Sequence, residues 1–174
     1  MTDHPPTPDA ETLAFLQSVF ELVRAGDADQ LGPLLDQGLP ANLLNQKGDS
    51  LLMLASYHGH LEATRQLLEH GADPERANDQ GQTPLVGAAF KGNLEMAELL
   101  LDHGADTETA GPGGKTALMM AAMFNRTEMV GWLLSRGANL HARDVGGLSV
   151  ADAARLMGAQ DTAAQLDALL SQAP

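Results

Sequence analysis

Histidine and lysine supply most of the side chains in this chain that could do chemistry, and their spacing limits what that chemistry could be. His58 and His60 stand one residue apart at the end of a short apolar run. Alternate positions there do not converge on one ion without a third ligand, and a zinc site needs at least that many. His70 and His103 recur 33 residues apart in the same local sequence, which marks them as parts of a repeated scaffold. No metal site is expected. "AGPGGK" (110–115) sets Lys115 after glycines, but it lacks the G-x-x-x-x-G-K-[ST] spacing of a phosphate loop and follows no buried strand. Ser56, Ser135 and Ser171 have no evident His and Asp partners, no G-x-S-x-G is present, and there is no cysteine. Asn125-Arg126-Thr127 is a glycosylation sequon by its letters only. These residues point away from catalysis, and no cofactor is expected.

Charge narrows the partners. The net charge is −13, from 23 Asp and Glu against ten Lys and Arg. Residues 1–40 hold seven acids against Arg24 alone, a local −6. Such a surface repels nucleic acid and anionic lipid, so neither is expected as a partner. No stretch approaches the roughly 20 apolar residues of a membrane span. The opening "MTDHPPTPDAE" has neither the basic nor the apolar region of a secretory signal. A cytoplasmic protein of bacterial style is the expectation. Aromatics are only 3% of the chain while Leu, Ala and Gly abound, which suits closely packed helices.

The elements that position these residues repeat. Gly48, Gly81, Gly114 and Gly147 recur every 33 residues, as do Gly38, Gly71, Gly104 and Gly137. A third series runs Gly26, Gly59, Gly92, Asn125, Gly158. A helix that ends in a left-handed residue takes Gly first and Asn next, and Asn125 is the one replacement in that series. Ser50, Thr83, Thr116 and Ser149 stand where a hydroxyl caps a helix start, with Pro84 at the first helical position. Each short helix then leads to a second, such as "LEATRQLLEHG", with Leu61, Leu67 and Leu68 at helical spacing. A polar, turn-rich link such as "ADPERANDQG" closes each unit. Paired small residues, Ala88 with Ala89 and Ala121 with Ala122, allow neighbouring helices to approach closely. One helix pair cannot bury its apolar face alone, but a stack can.

Copies such as "DQGQTPLVGAAFKGNLEMAELLLDHGAD" resemble ankyrin repeats, whose pattern opens with G-x-T-P-L-H and closes with L-L-x-x-G-A-D. The resemblance implies an all-α solenoid of helix–turn–helix units joined by β-hairpin-like loops. It covers residues 12–171 as one domain, with repeats at 12–45 (an N-terminal cap), 46–78, 79–111, 112–143 and 144–171 (a C-terminal cap). A disordered leader of residues 1–11 is expected before it. The chain departs from the family at T-P-L-H, which reads "SLLM", "TPLV", "TALM" and "SVAD". Met53, Val86 and Met119 must therefore replace a hydrogen-bonding His by apolar packing. The Asn that closes many family hairpins, and that some dioxygenases modify, is replaced by Glu75, Glu108 and His141, so that modification is not expected.

In the family, hairpin tips and first helices line a concave face where partners usually bind. The resemblance places two variable slots of each copy on that face: Tyr57 and His58, Phe90 and Lys91, Met123 and Phe124, Leu156 and Met157. Three of the six aromatic residues fall there. All three lysines fall on the same side, Lys47, Lys91 and Lys115, with Gln80 and Gln82 at a hairpin tip. An apolar ladder edged by positive charge is predicted, since aromatics and Met are enriched at interface centres. Burial of Tyr57, Phe90 and Phe124 together would remove it. The expected function is a non-enzymatic protein-binding module, a monomer gripping one protein partner. Self-association about a two-fold axis is the alternative, and a small-ligand receptor or enzyme has no sequence support.

Overall fold

The hydroxyl caps and glycine series act as punctuation, and the chain folds where they say it should. The structure, a computed structural model, describes residues 7–111 and 113–172. Among the described residues the chain forms ten helices in five successive pairs. These are α1 (Ala10–Ala25) with α2 (Ala28–Asp36), α3 (Leu51–Tyr57) with α4 (Leu61–Glu69), and α5 (Pro84–Lys91) with α6 (Leu94–Asp102). Then come α7 (Ala117–Met123) with α8 (Thr127–Ser135), and α9 (Val150–Leu156) with α10 (Gln160–Gln172). Ser50, Thr83, Thr116 and Ser149 each accept the backbone N–H three residues on, capping α3, α5, α7 and α9. Every member of the three glycine series has positive φ, and so does Asn125, at 58°.

The helix starts earlier than the sequence suggests at one place. The Asp9 carboxylate accepts the Thr12 N–H at 2.7 Å and caps α1, so that helix begins at Ala10, two residues ahead of the expected start of the first repeat. That bond also holds the Asp9 carboxyl below its usual pKa. Of the expected leader, residues 1–6 lie outside the described residues.

The core runs through the stack as columns of equivalent positions. Leu52, Leu85, Leu118 and Ala151 form one, and Leu67, Leu100, Leu133 and Leu166 another, all buried. Ala88, Ala89, Ala121 and Ala122 are buried where α5 and α7 meet. Met53, Val86 and Met119 are buried as the replacement for the family His requires.

Polar stitches add register to this packing. The Asn42 side chain accepts the Asp73 N–H at 2.8 Å, Glu75 accepts that of Asp106 at 2.9 Å, and Glu108 that of Asn139 at 2.9 Å. Glu75 and Glu108 thus do what the Asn42 amide does one repeat earlier. At the rear turns His60 Nε2 donates to the Arg24 carbonyl at 2.7 Å, and Arg126 Nε donates to that of Phe90 at 3.0 Å. His70 faces two acceptors, the Gln66 carbonyl at 2.7 Å and the Asp36 carboxylate at 2.9 Å. Those partners, the carbonyl first, raise the imidazole pKa above its ordinary value. His103 bonds the Leu99 carbonyl in the same way at 2.9 Å, so both histidines serve helix ends as their spacing implied.

The links behave as hairpin-like loops. Two isolated antiparallel bridges, Leu44 with Ser50 and Arg143 with Ser149, are the strand pairing among the described residues. Three tips close on an Asx turn: Asn45, Asn78 and Asp144 each accept two backbone N–H groups of their own tip. The tip at 111–114 has Gly111 in that place. A Cβ on Gly111 would fall 2.4 Å from the Gly81 carbonyl oxygen, so only glycine allows the two tips to meet. Gly113 in turn accepts the Val145 N–H at 3.0 Å. Gly111 still accepts the Gly114 N–H at 2.9 Å, as its equivalents do in the other three tips, so what it lacks is the side-chain acceptor and what it adds is contact with the tips on either side.

Candidate functional site

First helices and hairpin tips enclose a groove of about 530 Å³ along one face of the stack. Its tip side is contributed by Asn45, Lys47 and Asp49 of the first link and Asn78, Gln80 and Gln82 of the second. The helical side carries Tyr57 and His58 from the end of α3, Phe90 from α5 and Phe124 from the end of α7. Met53, Leu54, Val86 and Met120 form an apolar floor. The site is open because successive first helices end in turns that put their last side chains on this face, while the Ala columns behind them draw the helices together.

Aromatic geometry shapes the groove. Tyr57 is 41% exposed, and Phe90 and Phe124 are half-buried. The condition that would have removed the ladder, burial of all three, is not met. Phe90 and Phe124 meet edge to face with ring centroids 4.5 Å apart, a favourable arrangement for two quadrupoles. Lys91 Nζ stands 4.3 Å from the Tyr57 ring centroid, and the imidazole of His58 meets that ring edge on at 5.8 Å. Tyr57 leans toward Gly87 of α5, where a Cβ would lie 3.6 Å from Cδ2. Glycine in mid-helix costs roughly 1 kcal/mol against alanine, and here it deepens the groove.

Seven of the twelve expected residues line the groove: Lys47, Tyr57, His58, Gln80, Gln82, Phe90 and Phe124. Lys91 reaches its rim through the Tyr57 ring. The remaining four lie elsewhere. Met123 packs against the core, because α7 ends at that residue and hands the outward position to Phe124. Lys115 pairs with Asp144 of the following link at 3.6 Å. Leu156 and Met157 are 77% and 49% exposed, at the last repeat, outside the groove. No further hairpin follows α10 among the described residues to wall them in.

The floor residues escaped sequence reasoning since they read as core, and most of them are. A second recess was also missed, about 340 Å³, between α1 and the first link. It is lined by Leu13, Leu16, Phe20 and Leu44 and shares Arg24, Asn45 and Lys47 with the main groove. The spacing of 13, 16 and 20 along "LAFLQSVF" was the available signal, because it gives α1 an apolar stripe longer than its neighbours can cover. His58 and His60 stack with ring centroids 6.1 Å apart, and no group of three or more His, Asp or Glu converges for a metal among the described residues. None of the described helices is long and apolar enough to cross a membrane.

This geometry agrees with what the chain is similar to. The family description "Ankyrin repeats (3 copies)" matches residues 19–111, and "Ankyrin repeat" matches residues 113–145. A protein of Pseudomonas aeruginosa named for its ankyrin repeats is 58% identical over 66 residues. That match covers 37% of this chain and 39% of the relative, so the likeness is to a part of each.

Proposed function

The chain belongs to the ankyrin repeat family, and from that premise we propose that it is a non-enzymatic module, monomeric, holding one protein partner in the groove on its concave face. Members of the family generally mediate protein–protein interaction. One observation carries the reading: half of the chain's six aromatic side chains gather, part-exposed, in a single groove. Contiguous apolar surface left open to water marks interaction sites. Tyr57, Phe90 and Phe124 are the anchors, each worth about 1–3 kcal/mol of binding on truncation. Lys47 and Lys91 orient the partner, and Gln80 and Gln82 offer amides at the rim. Leu156, Met157, Met123 and Lys115 contribute little, since they lie outside the groove. A cytoplasmic, bacterial setting is part of the same proposal and is supported by the cysteine-free composition and the Pseudomonas relative.

Affinity capture from native lysate tests it with three baits: wild type, Tyr57→Ser/Phe124→Ser, and Leu156→Ser/Met157→Ser. A protein recovered by wild type and by the end variant, but lost by the groove variant, is the expected result. Equal recovery by all three baits overturns the groove. Light scattering over a concentration series addresses the monomer; a mass that climbs with concentration speaks for self-association.

A further inference from the structure

The groove has a charge balance opposite to that of the body around it. Acids outnumber cations 23 to ten, and among the described residues five of the ten cations reach a carboxylate: Arg24, Arg65, Lys115, Arg136 and Arg155. Lys47 and Lys91 form no such pair among the described residues, although both are exposed in an acid-rich molecule. Both belong to the groove. Lys47 lines it, and Lys91 is held over its rim by the cation–π contact with Tyr57. Arg24 closes one end, paired with Glu21 at 2.5 Å. The one carboxylate among the lining residues, Asp49, is already engaged by the side-chain amides of Asn78 at 3.1 Å and Asn45 at 3.3 Å. The groove thus offers unpaired ammonium groups beside an apolar floor and two aromatic edges.

We propose that the occupant of this groove is an acidic segment of the partner protein, seating an apolar or aromatic side chain against Phe90 and Phe124 and a neighbouring carboxylate between Lys47 and Lys91. The inference rests on the concave-face reading above and adds the chemistry of the ligand. The acidic body does not forbid it. Charges more than about 8–10 Å away are screened at physiological salt, so an occupant responds to the groups it touches. The net charge of −13 opposes an acidic segment on the molecule as a whole, so local ammonium groups such as those of the groove decide where one is held. A basic segment meets the reverse: attraction over the whole surface, and two ammonium groups at the site. Nucleic acid carries a long phosphate array that the −13 body opposes as a whole, whereas a short peptide presents only a few charges.

A displayed library of random short peptides, selected against the immobilised full chain, tests this without knowledge of the natural partner. Selections run in parallel on Tyr57→Ser/Phe124→Ser and on Lys47→Glu/Lys91→Glu, both checked to melt close to wild type. Enrichment of Asp and Glu over Lys and Arg around a Leu, Phe or Tyr is expected, and it should vanish on the aromatic variant. A synthetic copy of the leading peptide should lose ~tenfold or more in affinity on the lysine variant. Its affinity for wild type should also fall as salt rises. Peptides that need Tyr57 and Phe124 but are neutral or basic would overturn the acidic assignment and leave the concave-face reading standing. Peptides indifferent to the aromatic variant would overturn both.

Discussion

The groove and the rear turns are built from the same 33-residue unit, yet they use their side chains in opposite ways. At the rear, Arg126 reaches the Phe90 carbonyl, His60 reaches that of Arg24, and Asn125 is bound to the start of α10. Each of these side chains is consumed by a neighbouring repeat about one period away. In the groove, the side chains of Lys47, Tyr57 and Lys91 make no hydrogen bond to any neighbouring repeat among the described residues; the Lys91 ammonium stands over the Tyr57 ring, which also meets the His58 imidazole edge on. The difference teaches which positions the stack can leave to a partner. A side chain that holds the next repeat cannot change without loss of register, and one that holds nothing can.

Three substitutions break or sharpen this contrast. The largest effect belongs to the shared interior. Leu118→Ala empties a fully buried position that serves both faces, and should cost about 2–5 kcal/mol in urea denaturation. Neighbouring repeats should loosen with it, because stability in a stack is a sum of nearest-neighbour terms. A cost below about 1 kcal/mol would mean that the column through Leu85 and Leu118 is not the main support.

The rear stitches come next. Asn125 Oδ1 accepts the N–H groups of Asp161 at 3.1 Å and Thr162 at 3.0 Å, and its amide donates to the Asp161 carboxylate at 2.8 Å. Ala159, just before α10, has no side-chain acceptor, so Asn125 caps that helix from one repeat away. Asn125→Gly keeps the left-handed backbone and deletes the cap. A net loss of about 1 kcal/mol is expected, with faster amide exchange confined to the first turn of α10. Unchanged exchange there would show that the cap is redundant.

The smallest effect has the opposite sign. Gly87→Ala adds a methyl at ordinary van der Waals distance from Tyr57 and should stabilise α5 by up to about 1 kcal/mol. The same methyl makes the groove shallower. Binding of a groove peptide should weaken while the melting temperature rises, so that stability and recognition part company at one residue. If both improve, the depth beside Tyr57 is not used.

Much of the fold was legible in the sequence, because its signals are local. A hydroxyl before a helix, a glycine after it and a 33-residue period require only a few adjacent residues to read, and each takes the role its spacing implied. The site was legible in part. Slot position found Tyr57, His58, Phe90 and Phe124, but it treated all four copies alike, and the copies are not alike once they have different neighbours. Met123 and Phe124 are adjacent and similar in character, yet one faces the core and the other the groove, since α7 stops between them. Lys115, like Lys47, flanks a hairpin glycine, but Asp144 of the next link captures it.

The sequence by itself therefore determined the unit: its length, its two helices, their caps and the family to which they belong. Only the tertiary structure decided how each unit is completed by the one beside it. It turned Asn125 from a tolerated helix end into the cap of α10, and Glu75 and Glu108 into stitches. It made Gly111 obligatory, through the carbonyl of Gly81. It gathered the aromatic slots of the middle repeats into one groove and left Leu156 and Met157 outside it. The reason is distance: partners about 30 to 40 residues apart meet only after the stack has closed, and nothing in their own local sequence records the meeting.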